Sequence, residues 1–160
     1  MRDLTTPPAH IQGRIEAIVV RGAPRDPARL IQQTTALAGI GLADDRLGQR
    51  GEAKLSTRQV TLIQLEHLPL IAAFARSGPL DPVGLRRNLV ISGMNLLSLK
   101  NAQLRVGEAL IQIVGPCHPC SRMEEVIGPG GYAAMRGHGG MTARILESGA
   151  IRVGDVVRVN

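Results

Sequence analysis

The chain has 160 residues, 44% hydrophobic and 20% charged, enough apolar surface to offset the entropy of ordering a domain, so disorder over the whole length is excluded. Nineteen Lys and Arg against 13 Asp and Glu leave a formal charge of +6, which attracts anions. Aromatics at 1% leave almost nothing to stack single-stranded nucleic acid, and no apolar run approaches the ~20 residues of a membrane-spanning helix.

Residues 11–20 alternate apolar and polar before running fully apolar, which predicts a strand entering the core. Arg21-Gly22-Ala23-Pro24 breaks it. Leu30, Ile31, Thr34, Leu37 and Ala38 fall at helical spacing behind Asp26 as N-cap and Pro27 at the first helical position, predicting a helix from Asp26 to Ala38 that ends at Gly39 and Gly41. Residues 58–64 read as a β-branched strand, and Glu66 to Arg76 as a short buried helix stopped by Ser77-Gly78-Pro79. Residues 88–91, 103–106 and 109–114 are short strands, the last two joined by a hairpin at Gly107-Glu108. After a turn at Gly115-Pro116, one or two helical turns are expected from Cys120 to Val126, then strands over Met141 to Leu146 and Val153 to Val159. With 19 Gly and 10 Pro, turns are frequent and elements short, and no long repeat is visible. The expected architecture is one α+β, strand-dominated domain over residues 1–160, a β-barrel or antiparallel sheet with a few short helices.

The segment Val114 to Glu125 places a thiol at the exit of a strand and the start of a helix, where free N–H groups and the helix dipole favour negative charge. Cys120 is the expected thiolate there, with His118 and Arg122 nearby, acting as nucleophile or soft-metal ligand. The Cys117-His118-Pro119-Cys120 spacing also matches a dithiol redox motif, though the βαβ surround of thioredoxin-like proteins is not evident. A structural zinc would need two further ligands, and His10, His67 and His138 are not paired in sequence. The plain alternative is two small buried hydrophobes. Two Cys argue against a disulfide framework, and Met1 to Pro8 lacks the apolar run of a signal peptide, so a reducing cytoplasm is the expected setting.

Only Lys54 and Lys100 are lysines; the remaining cations are Arg, whose planar forks suit bidentate contact with phosphate, sulfate or carboxylate. Arg86, Arg87 and Asn88 directly precede a strand. Arg86 and Asn88, two apart, are expected to share a face, with Arg87 opposite as a charged strand edge. Gly130 to Gly140 is a Gly-rich loop with Arg136 and His138, able to bring backbone N–H groups to an oxyanion. Gly41 to Gly48, which contains Arg46, reads as a further contributor or as a turn with a local ion pair.

Together these segments resemble the MOSC family, the domain shared by the C-terminal part of molybdenum cofactor sulfurases, the amidoxime-reducing components and small stand-alone bacterial proteins. The likeness spans most of the chain. It rests on Gly41-Leu42 with Asp45-Arg46, Arg86 to Asn88, Pro119-Cys120, Arg136 to Arg144 and Gly149 to Asp155, whose order and spacing together are specific. The resemblance implies a barrel-like fold and a pocket for the pyranopterin molybdenum cofactor, or for sulfur carried toward it. Cys120 is then the soft metal ligand or persulfide carrier and Cys117 an accessory residue. Arg46, Arg86 and Asn88 are implied near the cofactor's phosphate and pterin, with Arg136 and His138 as further contacts. Leu47 departs from the His that many stand-alone members carry after the Asp-Arg pair, and no PLP site is evident. The activities implied are a reductase of N-hydroxylated or related small substrates fed by a separate electron donor, or a persulfide carrier between a sulfur donor and an acceptor protein. A non-catalytic basic module binding nucleic acid or another polyanion is the remaining reading; the scarcity of aromatics and the lack of a nucleic-acid motif oppose it.

Overall fold

The computed structural model describes residues 4, 7–23, 25–50 and 56–160; the expectations on Met1 to Asp3, Pro24 and Lys54 lie outside them. Alternation dominates the first ordered stretch, β1 (Gly13–Val20), until the pairing register shifts between Ile15 and Ala17. Such a bulge swaps the faces of the residues that follow, and Ile18, Val19 and Val20 are then all buried. Three short strands come next, β2 (Arg29–Ile31), β3 (Gln33–Leu37) and β4 (Gly41–Leu42), then a one-turn helix α1 (Arg46–Arg50). Strand β5 (Val60–Gln64) leads to helix α2 (His67–Ala75), a 3-10 turn at Pro82–Leu85, strand β6 (Leu89–Ser92) and a second 3-10 turn at Leu96–Leu99. The chain continues through β7 (Gln103–Val106), β8 (Ala109–Pro116), α3 (Arg122–Ile127), α4 (Gly131–Met135), β9 (Met141–Glu147), β10 (Gly149–Arg152) and β11 (Val156–Val159).

Seven strands close a barrel in the order β11, β7, β8, β9, β5, β6, β1, with β1 pairing back to β11. Closure leaves no free edge around the ring. The β5–β6 pair is parallel and the remaining pairs are antiparallel. A parallel pair needs a crossover, here α2 and the turn at Pro82–Leu85. Leu62, Leu89 and Ile91 point into the barrel with Ile15, Leu104, Ile111, Ile113 and Val157. Their neighbours Ile63 and Val90 point outward into a second cluster with Leu68, Ile71, Leu85, Met123 and Met135 from the helical side. β5 and β6 are thus buried on both faces, which explains their nearly continuous apolar sequence. No helix among the described residues is long and apolar enough to cross a membrane.

The helix expected from Asp26 to Ala38 does not form. Residues 29–31 pair with the end of β1, and residues 33–36 pair with β10, which together with β4 forms a small second sheet. Thr34 and Ala36 are buried while Gln33 and Thr35 are exposed, a period of two. β-branched Ile31, Thr34 and Thr35 favour it, and cross-strand pairing outweighs the helical spacing. The Gly-rich segment 130–140 contains α4, and the expected strand Val153 to Val159 starts only at Val156, after a turn.

Candidate functional site

β5 and β6 run parallel and β1 runs against β6, so the beginnings of β5 and β6 meet the end of β1 at one rim of the barrel. Val19, Val20 and Arg21, then Arg58 to Thr61, then Arg86 and Asn88 converge there. Asp45, Arg46 and Leu47 from the turn into α1 complete a cleft of about 290 Å³. Four of its residues are arginines: Arg21, Arg46, Arg58 and Arg86. The ion pairs among the described residues, Arg105–Glu147 and Arg152–Glu108, involve none of them. The acidic side chains of this turn serve the backbone and the neighbouring strand: Asp45 accepts from the Arg21 amide at 2.8 Å and Asp44 from the Thr34 hydroxyl at 2.7 Å. The expected local ion pair is therefore absent among the described residues, and Arg46 is left to the cleft.

Arg86 ends the turn at Pro82–Leu85 in a left-handed conformation, φ 61°, which is costly for a residue with a Cβ and concentrates at functional sites. Burial pushes its guanidinium pKa down, as do the charges of Arg21, Arg122 and Arg87, while Cys120 opposes the shift. A bound anion relieves that repulsion. Asn88 lines the cleft, but most of its amide is committed to the fold: Oδ1 accepts from the Thr61 amide and hydroxyl, both at 3.1 Å, and Nδ2 donates to the Val19 carbonyl at 3.1 Å.

Cys120 is exposed and Cys117 half-buried on the loop between β8 and α3. Cys120 lies within electrostatic reach of Arg86 but is not among the residues lining the cleft. The loop is fixed by backbone contacts, Cys117 donating to Gly140 at 2.8 Å and Met123 to the Cys120 carbonyl at 3.0 Å. Arg87 is not a charged strand edge. It is 6% exposed, and its guanidinium donates to the carbonyls of Gly139 (2.6 Å), Leu85 (3.2 Å), Cys117 (3.3 Å) and His118 (3.2 Å). Burial pushes the Cys117 thiol up, with Arg87 and Arg58 opposing. Cys120 is thus the more accessible of the two thiols.

The structure brings Arg46, Arg86 and Asn88 together in the cleft, while Cys120 stays outside the cleft lining, on the loop between β8 and α3, within electrostatic reach of Arg86. It does not bring Arg136 or His138 to the cleft. Arg136 is exposed after α4, and His138 packs edge-on to His67, ring centroids 5.2 Å apart, and against Phe74 at 5.8 Å. Arg21 and Arg58 were not anticipated; the signal available was an Arg next to a strand terminus in each case.

A family model described as the MOSC domain matches residues 26–158. No curated protein matches the chain in sequence. Among solved structures, the YuaD protein from Bacillus subtilis is 19% identical, with a TM-score of 0.81 over 92% of this chain and 95% of that one. YiiM from Escherichia coli is 19% identical, with a TM-score of 0.68 over 92% and 69%. YiiM from Geobacillus stearothermophilus is 17% identical, with a TM-score of 0.71 over 92% and 75%. At these identities the structural likeness speaks to the fold.

Proposed function

This chain belongs to the MOSC domain family, and on that premise we propose that the cleft at the barrel rim binds the molybdenum cofactor, with Cys120 as thiolate ligand to the metal. The observation that carries the proposal is the set of four cleft arginines without a carboxylate partner among the described residues, with the exposed Cys120 thiol within electrostatic reach of one of them, Arg86. That donor set fits the group: guanidinium forks suit a phosphate, and a thiolate suits a soft metal. Arg46, Arg58 and Arg86 hold the anionic end, Asn88 keeps one amide N–H for the pterin, and Leu47 offers an apolar wall. When bound, the cofactor supplies a two-electron redox centre, which makes the protein a reductase of small N-hydroxylated or related substrates served by a separate electron donor. Protein isolated from a host that makes the cofactor carries molybdenum and pterin in near-equimolar amounts. Cys120→Ser loses the metal, and Arg86→Met lowers the pterin content. Isolation without either component, together with failure to take up added cofactor, overturns the reading.

A second reading keeps the same thiol as a persulfide carrier between a sulfur donor and an acceptor protein. It is favoured by the exposure of Cys120 and by a second thiol three residues away. Treatment with a desulfurase and its substrate then adds sulfur at Cys120, read by mass spectrometry; no adduct on either cysteine rejects it.

A further inference from the structure

Helix α2 is apolar on both sides. Leu68 and Ile71 enter the cluster against β5 and β6, yet the opposite side, made of Pro69, Leu70, Ala73 and Phe74, faces solvent. A helix without a polar face is ordinarily covered all round. Leu70 is 36% and Phe74 60% exposed, and at i and i+4 they form one stripe. Phe74 is the only Phe of the chain and packs against His138, ring centroids 5.8 Å apart. The barrel interior is filled by aliphatic side chains and Met, while this ring stands outside, as the aromatic centre of an interface does. The ends of the stripe carry opposite charge. Glu66, one turn before Leu70, is exposed, and one of its carboxylate oxygens accepts from the Gly93 amide at 2.6 Å. Arg76, directly after α2, is exposed at the other end. Neither joins an ion pair among the described residues, and α2 between them contains no Asp, Glu, Lys or Arg.

A surface complementary to this face needs an acid opposite Arg76, a base opposite Glu66 and an apolar stretch between them. Helix α2 turned end for end has that pattern. We propose that the outer face of α2 docks on the same face of a second copy of this chain, the two helices antiparallel about a two-fold axis near the middle of the helix. Such an interface is isologous, so each contact occurs twice: Glu66 of each copy lies opposite Arg76 of the other, and Leu70 and Phe74 of both copies are covered. Parallel packing would instead set Arg76 against Arg76. The apolar stripe supplies the affinity, since exposed ion pairs contribute little, and the charged ends set the orientation. The net charge of +6 opposes association only weakly, because charges more than ~8 Å apart are largely screened at physiological salt. This pairing holds whatever the cleft binds.

Sedimentation equilibrium of the purified full chain, from low micromolar to several hundred micromolar protein, reads the pairing. Wild type passes from monomer to dimer and forms no larger species. Phe74→Glu and Leu70→Ser, both at exposed positions, keep the wild-type melting profile and raise the dimer dissociation constant at least about tenfold, equal to ~1.4 kcal/mol. Glu66→Arg and Arg76→Glu each weaken the dimer, and the two combined restore it, because the swapped charges again face each other across the two-fold. A chain that stays monomeric at every concentration overturns the proposal. Its co-sedimentation with vesicles of phosphatidylcholine and phosphatidylglycerol, lost in Phe74→Glu, would then give the face to a lipid surface. A dimer indifferent to Phe74→Glu and Leu70→Ser places the contact elsewhere and also overturns it, and one that the charge swap fails to restore overturns the antiparallel arrangement.

Discussion

Asn88 and Thr61 clasp each other at the cleft wall: Asn88 Oδ1 accepts from the Thr61 amide and hydroxyl, and Thr61 Oγ1 accepts from the Asn88 amide at 3.0 Å. With Asn88 Nδ2 on the Val19 carbonyl, one side chain ties the end of β1 to the beginnings of β5 and β6, where the arginines gather. Asn88 therefore positions the site even if it also touches a ligand.

Replacing Asn88 with Ala removes the three bonds made by its side chain, though not the one from its backbone amide to Thr61, and leaves the Thr61 amide and Val19 carbonyl short of partners, at a cost of about 1–3 kcal/mol. Urea unfolding reads this as a lower midpoint with unchanged slope. Thr61→Val, which keeps the shape and loses the hydroxyl, costs less. Equal effects of the two variants would contradict the clasp.

Arg87 is a buried cation solvated by carbonyls, with no carboxylate against it among the described residues. Arg87→Met strips donors from Gly139, Cys117 and His118 and destabilises the fold by about 1–3 kcal/mol. Arg87→Lys restores only part of this, because an ammonium lacks the planar fork. Freed from its clamp, the loop exposes Cys117, so alkylation of that thiol accelerates in both variants. An unchanged alkylation rate would separate Arg87 from the thiol loop.

Burial, then the neighbouring His138, push the His67 pKa below its ordinary value, and Glu66 only partly offsets them. Both imidazoles also bury an Nδ1 atom without a hydrogen-bond partner. A depressed folded-state pKa means that the unfolded chain binds the proton more readily. This contribution to stability is therefore complete above the unfolded value of about 6.5 and declines as pH falls from there toward the lowered folded value. The urea midpoint should therefore drop as pH falls below about 6.5, and His67→Phe should flatten that drop. An equally steep drop in the variant would assign the effect elsewhere.

Gly140 and Gly137 both have positive φ, 90° and 81°, but a Cβ on Gly140 collides with the Leu62 carbonyl, whereas one on Gly137 meets nothing within 4 Å. Gly137→Ala carries the conformational penalty alone, about 1 kcal/mol. Gly140→Ala adds the clash and displaces the carbonyl that holds the Cys117 amide, so it costs more and perturbs the thiol loop. Thermal melts of the two variants give the comparison, and equal losses would refute it.

Several elements were legible because their signals are local. Alternation in residues 13–20, the β-branched run ending in β5, the hairpin at Gly107-Glu108 and the apolar helix α2 all appear where the sequence places them. Likewise the thiol segment lies between β8 and α3. Residues 29–37 were misread because their apolar positions satisfy helical spacing, and only the partners β1 and β10 select the extended form. The site was legible only in part. Arg46, Arg86 and Asn88 came with the family resemblance, whereas Arg21 and Arg58 reach the cleft through strand pairings that span tens of residues. Arg87 looked like a surface charge because no local pattern announces the four carbonyls that receive it. His138 looked like a cleft residue until the packing of α4 against α2 set it beside His67. Chain-local chemistry thus chose the strands, the turns and the place of the thiol segment between β8 and α3. Closure of the barrel decided which side chains face one another, since hydrogen bonds between distant strands set the register, and register sets the direction of every side chain.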